Sequence, residues 1–345
     1  MEGPATYERP TVREGCLRLH FNENTSGCAA SVHDAVQALS ARDLAYYPDV
    51  LETTRASAER FGIASEEIVL TNGLDEGLLL SAVAATAMSR EARREVLIAE
   101  PSYSLHRAFV EAIGADAVAA GPRADLRFPL GEVLDRITPR TALVFVTSPG
   151  NPTGEAVSLK ALEAIADRLP DGSALFIDAA YADFGGEDPT PLAGAHPQVL
   201  VGRTFSKAYG LAGVRVGAVI GRGPLFDRLR QLVPPYTTNV VAATAVRAAL
   251  RDLGPFERYC SEVPRSRELI YDVCERLGVE SWPSAANFVL IRPGDRAAEI
   301  LDALAARGVQ VRDRSQVPGC AGCLRVTAGW TRETAAFVSA LEDIW

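Results

Sequence analysis

Short, unbroken apolar runs recur through the first two thirds of the chain, at residues 67–70, 95–99, 142–146, 174–177, 199–201 and 216–220. None alternates polar with apolar, so each predicts a strand covered on both faces. Between them, segments such as 159–169 place apolar residues three and four positions apart, the spacing of an amphipathic helix. Strand and helix in repetition predict βαβ units and a largely parallel sheet. After about residue 255 the texture changes to a charged helical stretch (265–277), an apolar run (287–291), a second helical pattern (297–307) and a short run (324–327). Fewer strands and more exposed charge predict a smaller α+β domain. The first 45 residues lack the βαβ rhythm and are assigned to it. The expected division is therefore a large domain over 46–254 and a small one from 1–45 plus 255–345, with no internal repeat or low-complexity linker.

Composition narrows the class. The 345 residues are 48% hydrophobic and 23% charged, which is globular and rules out disordered or collagen-like chains. A chain this long can bury about 75% of its unfolded surface without disulfide or metal staples. A net charge of −9 and a pI near 5.2 argue against a nucleic-acid groove. The longest apolar stretch, 78–88, is about half the ~20 residues of a membrane span, and the first residues carry no basic-then-apolar leader, so a soluble, cytoplasmic protein is expected. Six cysteines lie far apart except Cys320-Ala-Gly-Cys323, which has no second Cys-x-x-Cys to complete a metal site and is read as reduced thiols.

Of 35 basic residues only Lys160 and Lys207 are lysines. Lys207 sits in Thr204-Phe-Ser-Lys-Ala-Tyr-Gly-Leu-Ala-Gly-Val-Arg215, a loop between two predicted strands, where open α/β folds bind ligands. A scarce amine beside hydroxyls and glycines reads as a nucleophile that forms a Schiff base. Asp178 ends another predicted strand, an expensive position for a carboxylate without a cationic partner. Residues 68–76 read strand, tight turn, helix start, which points backbone N–H groups at an anion. Residues 146–154 are by themselves only a turn-rich loop.

Together these motifs resemble the fold-type I pyridoxal-phosphate (PLP) aminotransferases, close to the histidinol-phosphate aminotransferase group, over roughly residues 19–340. The resemblance implies a PLP-dependent transferase fold with a mostly parallel sheet and a small α+β domain. It implies that Lys207 holds PLP, that Arg215, Thr204 and Ser206 reach its phosphate, and that Gly73, Leu74 and Asp75 form the phosphate cradle. Asp178 resembles the partner of the ring nitrogen, which keeps the ring protonated as an electron sink. Tyr181 and Asn151 resemble donors to the ring hydroxyl oxygen, and Tyr103 the aromatic that stacks on the ring. Tyr47 resembles the tyrosine that reaches the neighbouring subunit's phosphate, which implies a homodimer with shared sites. Arg325 matches the arginine that forks the substrate carboxylate, for which two parallel N–H donors suit a planar anion. Arg312 resembles a second anion-binding arginine, and Asn22-Glu-Asn24 the N-terminal substrate loop.

There are departures. Ala179 follows Asp178 where an acidic residue is usual, Thr25 replaces a proline, and Trp330 stands where a threonine is usual, with an indole able to reshape the mouth of the pocket. The N-terminal tyrosine with its Pro-Gly is missing, Tyr7 being a poor match. The expected activity is amino transfer between an amino acid (or phosphorylated amine) and a 2-oxo acid by a ping-pong route, in amino-acid or specialised biosynthesis. The alternative is a decarboxylase, cyclase or lyase on the same scaffold, since fold alone does not separate them.

Overall fold

The computed structural model describes residues 10–88 and 94–345, and Tyr7 lies outside them. Its central sheet has seven strands in the order Ile68–Thr71, Gly217–Ile220, Val199–Thr204, Ala174–Asp178, Thr141–Thr147, Glu95–Ala99, Asp116–Ala120. Only Gly217–Ile220 runs against its neighbours; the remaining pairs are parallel. The unbroken apolar runs are explained by burial on both faces. Val144, Val146, Leu175 and Ile177 face one core with the helix Leu159–Arg168. Leu143, Phe145, Ala174 and Phe176 face the other, against the helix Leu74–Met88. Each fully buried large side chain contributes about 1.5–3 kcal/mol, so the sheet is a rigid platform for the loops at its strand ends.

The strand Asp116–Ala120 escaped the apolar pattern because it is an edge strand rich in alanine, a weak strand former, and only Ala120 is fully buried. The long helix Gly254–Leu277 begins well before residue 265, since Pro264 in its interior breaks the helical pattern. Its first half joins a core with Phe205, Tyr209 and Phe288 through Tyr259 and Val263, and its second half joins the small sheet through Ile270 and Val273. That sheet is antiparallel, in the order Arg312–Asp313, Leu324–Thr327, Phe288–Arg292, Glu280–Ser281. The strand Leu17–Arg18 pairs in parallel with Val309–Gln310, which ties the N-terminal segment to this part. The helix Ala30–Gln37 instead rests on Val240–Arg251, with Val32 sharing a core with Ala242 and Val246.

Gly217 shows how closely sheet and site approach. A Cβ there would stand 2.6 Å from the Leu74 amide nitrogen and 2.8 Å from the Gly73 carbonyl carbon, both backbone atoms. Gly217→Ala is expected to destabilise the apoprotein by about 1–3 kcal/mol and to weaken PLP binding, checked by urea unfolding and by cofactor titration.

Candidate active site

One cleft of about 550 Å³ collects most of the predicted chemistry. Loops at strand ends bring Asn151, Asp178, Tyr181, Thr204, Ser206 and Lys207 to its wall. Leu74, Asp75, Tyr103 and Arg215 line it from the helix starts and the lysine loop, and Arg312 and Arg325 from the small sheet.

Asp178 is the last residue of a strand whose five residues are all buried. Its Oδ1 accepts from the Ala180 N–H at 3.1 Å, and its Oδ2 lies 3.5 Å from His106 Nε2. His106 is fully buried and stacks on Phe145 at 4.7 Å, nearly parallel. Its Nδ1 lies 2.8 Å from the Ser102 hydroxyl. If that hydroxyl donates, the ring proton is left on Nε2, facing the carboxylate. His106 was not among the sequence candidates. Its position on a helix before a strand carries no signal until the fold sets it behind Asp178.

Lys207 Nζ donates to the Phe21 carbonyl at 2.8 Å and stands 5.9 Å from the Tyr181 ring centre. The Tyr181 hydroxyl accepts from the Asn22 side-chain amide at 2.9 Å. Asn22 is fully buried, with a left-handed φ of 56°, a conformation asparagine tolerates. It also bonds Thr327 and accepts from Asn287, so its side chain and backbone are engaged within the protein and it is not on the cleft wall.

At the other end of the cleft, Gly73 has φ 76°, and a Cβ there would meet the Arg215 guanidinium. The positive φ favours glycine there, and a side chain would displace the guanidinium end of Arg215. Arg215 pairs with Asp75 at 3.1 Å, and the Tyr103 hydroxyl reaches Asp75 at 3.4 Å. Thr204 Oγ1 accepts from the Ser206 N–H at 3.1 Å, which fixes the loop carrying Lys207.

Arg325 is buried; its Nη1 donates to Asn151 Oδ1 at 2.6 Å and its Nη2 to the His20 carbonyl at 2.8 Å. Strand register pairs Arg312 directly with Arg325, so both guanidinium stems leave the same sheet face. Arg18 and Arg314 line the same cleft, and Arg314 is also buried. Neither was among the candidates, since arginines are too numerous in this sequence to single out.

Three predicted features lie elsewhere. Tyr47 is 76% exposed and stacks on Tyr236 with ring centres 4.0 Å apart. The Trp330 indole donates to Asn24 and neighbours Tyr259, off the cleft wall. Cys320 and Cys323 are buried free thiols. A hydrogen bond from Cys320, assisted by Arg292, draws Cys323 down to about 7 and pushes Cys320 up.

Residues 14–341 match the family Aminotransferase class I and II, and the chain belongs to it. It is 34% identical over 337 residues to histidinol-phosphate aminotransferase 1 of Cupriavidus pinatubonensis, covering 95% of this chain and 88% of that one. It is equally 34% identical over 329 residues to the aromatic amino acid aminotransferase of Rhodococcus opacus, covering 94% and 89%. The structure of histidinol-phosphate aminotransferase from Sinorhizobium meliloti in complex with pyridoxal-5′-phosphate superposes with a TM-score of 0.84 at 27% identity, covering 95% and 90%. The fold is thus the aminotransferase fold type I and the enzyme a PLP-dependent aminotransferase. The cleft fits that cofactor: at one end the buried Asp178 carboxylate has no lysine or arginine partner among the described residues, and at the other a left-handed glycine turn lies against the Arg215 guanidinium.

An ionic contact at about 4 Å is worth about 4 kcal/mol in a partly buried setting, or about a thousandfold in rate. Asp178→Asn is therefore expected to retain PLP and lose about three orders of magnitude in kcat. His106→Phe, which removes the imidazole edge lying 3.5 Å from the Asp178 carboxylate, is expected to lose about 10–100-fold. Steady-state kinetics alongside cofactor occupancy check both.

Proposed function

We propose that this aminotransferase works by a ping-pong route on an amino acid and a 2-oxo acid, and that one of its substrates is an amine carrying a second anionic group, of the phosphate class. The observation that carries this reading is the cross-strand pair of Arg312 and Arg325 on the wall that also holds Lys207. One arginine suits the α-carboxylate; the other is in place for a second anion. Several relatives named histidinol-phosphate aminotransferase support the phosphate class.

When bound, PLP supplies an aldehyde that condenses with amines and a protonated ring that takes up the electron pair left when Cα–H breaks. Lys207 is the amine that holds the cofactor and, once displaced, takes the proton from the substrate Cα. Asp178, steadied by His106, keeps the ring nitrogen protonated. Tyr181 accepts from Asn22, which leaves its own proton for the ring oxygen; Asn22 thus positions Tyr181 rather than touching substrate. Asn151 has its carbonyl engaged by Arg325, so its amino end is the one turned to the ring oxygen. Gly73, Leu74, Asp75, Thr204, Ser206 and Arg215 hold the phosphate, and Tyr103 covers the ring face. Arg312 and Arg325 come from the small sheet and the cofactor groups from 46–254, so the cleft lies where the two meet.

The working unit is a homodimer in which Tyr47 reaches the neighbouring phosphate. Supporting this, Leu44, Tyr46, Tyr47, Leu51 and Tyr236 are each at least 60% exposed, an apolar band typical of a contact surface. Six free cysteines suit a reducing cytoplasm.

Arg325→Ala is expected to raise KM for every amino acid and 2-oxo acid. Arg312→Ala is expected to raise it about tenfold or more only for the substrate with the second anion. Equal effects of Arg312→Ala on singly and doubly anionic substrates would overturn the reading. Lys207→Ala is expected to abolish the visible absorbance that wild-type protein gains with PLP. A wild-type single turnover is expected to release a 2-oxo acid and no carbon dioxide, where a decarboxylase would release the gas. Light scattering is expected to give twice the chain mass.

A further inference from the structure

His20 is 2% exposed and is one of the residues bordering the substrate cleft, and both of its ring nitrogens are buried with no hydrogen-bond partner among the described residues. Buried polar atoms without partners cost about 1–3 kcal/mol each and are rare, so two on one ring call for an explanation. The ring rests against Phe21, centres 4.1 Å apart and tilted 40°. Its backbone carbonyl, in contrast, is engaged by Arg325. The charges acting on it are those of Arg18, paired with Glu23, on its own segment, and of Arg312 and Arg325 on the small sheet, and Arg314 borders the same cleft.

We propose that His20 is a substrate-specificity residue: its imidazole turns a nitrogen into the cleft and hydrogen-bonds the second anionic group of the substrate beside Arg312. The inference rests on the substrate class proposed above. The chemistry fits from both directions. In the unliganded cleft, burial and then the positive charges of Arg18, Arg312 and Arg325 hold the imidazole down to about 4, so it is neutral and adds no further repulsion among the arginines. A phosphate group brings negative charge and acceptor oxygens, which satisfies a ring N–H and favours proton uptake at the second nitrogen. A neutral imidazole amid arginines is thus a donor that strengthens when the anion arrives. This arrangement costs stability in the free protein and is recovered on binding, the sign expected of a binding residue and opposite to that of a core residue.

The test uses the holoenzyme and inorganic phosphate. The chain has only four histidines, so their ring C–H signals are resolvable by NMR, with His20 identified by its absence in His20→Gln. Phosphate is expected to shift the His20 signal saturably and raise its titration midpoint, while sodium chloride at equal ionic strength does not. By calorimetry, His20→Leu is expected to bind phosphate about tenfold more weakly, with His20→Gln in between. The unfolding midpoint of unliganded His20→Leu is expected to equal or exceed that of wild type. A silent His20 signal with unchanged phosphate affinity in His20→Leu, while Arg312→Ala loses affinity, overturns this inference and leaves the substrate class standing. If Arg312→Ala also binds phosphate normally, both fall.

Discussion

Asp178 ends a strand buried on both faces, where an unpaired carboxylate is penalised by several kcal/mol. Among the described residues no lysine or arginine pairs with it. The fold supplies one backbone N–H and the edge of His106, and leaves the remaining demand to a cation arriving in the cleft. The protein thereby keeps a buried carboxylate at the cleft, where the proposed reading sets the cofactor ring nitrogen. A hydrophobic platform is needed to keep the carboxylate dry enough for that demand to matter, which is the work of the two cores flanking the central sheet.

Three consecutive residues near the N-terminus join the separate parts of the site. The His20 carbonyl holds Arg325, the Phe21 carbonyl holds Lys207, and the Asn22 amide holds Tyr181. Asn22 does so from a left-handed backbone conformation, anchored by Thr327 and Asn287. A segment without βαβ character thus sets the relative placement of the amine, a phenol that neighbours it and the buried arginine of the small sheet. Errors there would propagate to all three.

The chain as a whole is acidic, at −9, yet the cleft gathers Lys207 and several arginines against Glu23, Asp75 and Asp178. A positive cleft in a negative molecule focuses anionic ligands while the outer surface repels them.

Much of this was legible in the chain. Apolar runs located six of the seven central strands, because burial on both faces leaves a local imprint on composition. The loops bearing Lys207, Asp178 and Asn151 stood out because glycines, prolines and scarce charges cluster there. The alanine-rich edge strand and the helix broken by Pro264 did not, since neither leaves the usual periodicity. What the sequence by itself determined was therefore which short segments are strands and which loops carry reactive groups. The tertiary structure alone decided that His106 stands behind Asp178, that Arg312 faces Arg325, that Asn22 turns inward to Tyr181, and that His20 is sealed beside the cleft. Periodicity reports a residue's immediate surroundings, whereas these placements join positions as far as 305 residues apart, and only the folded chain brings them within reach.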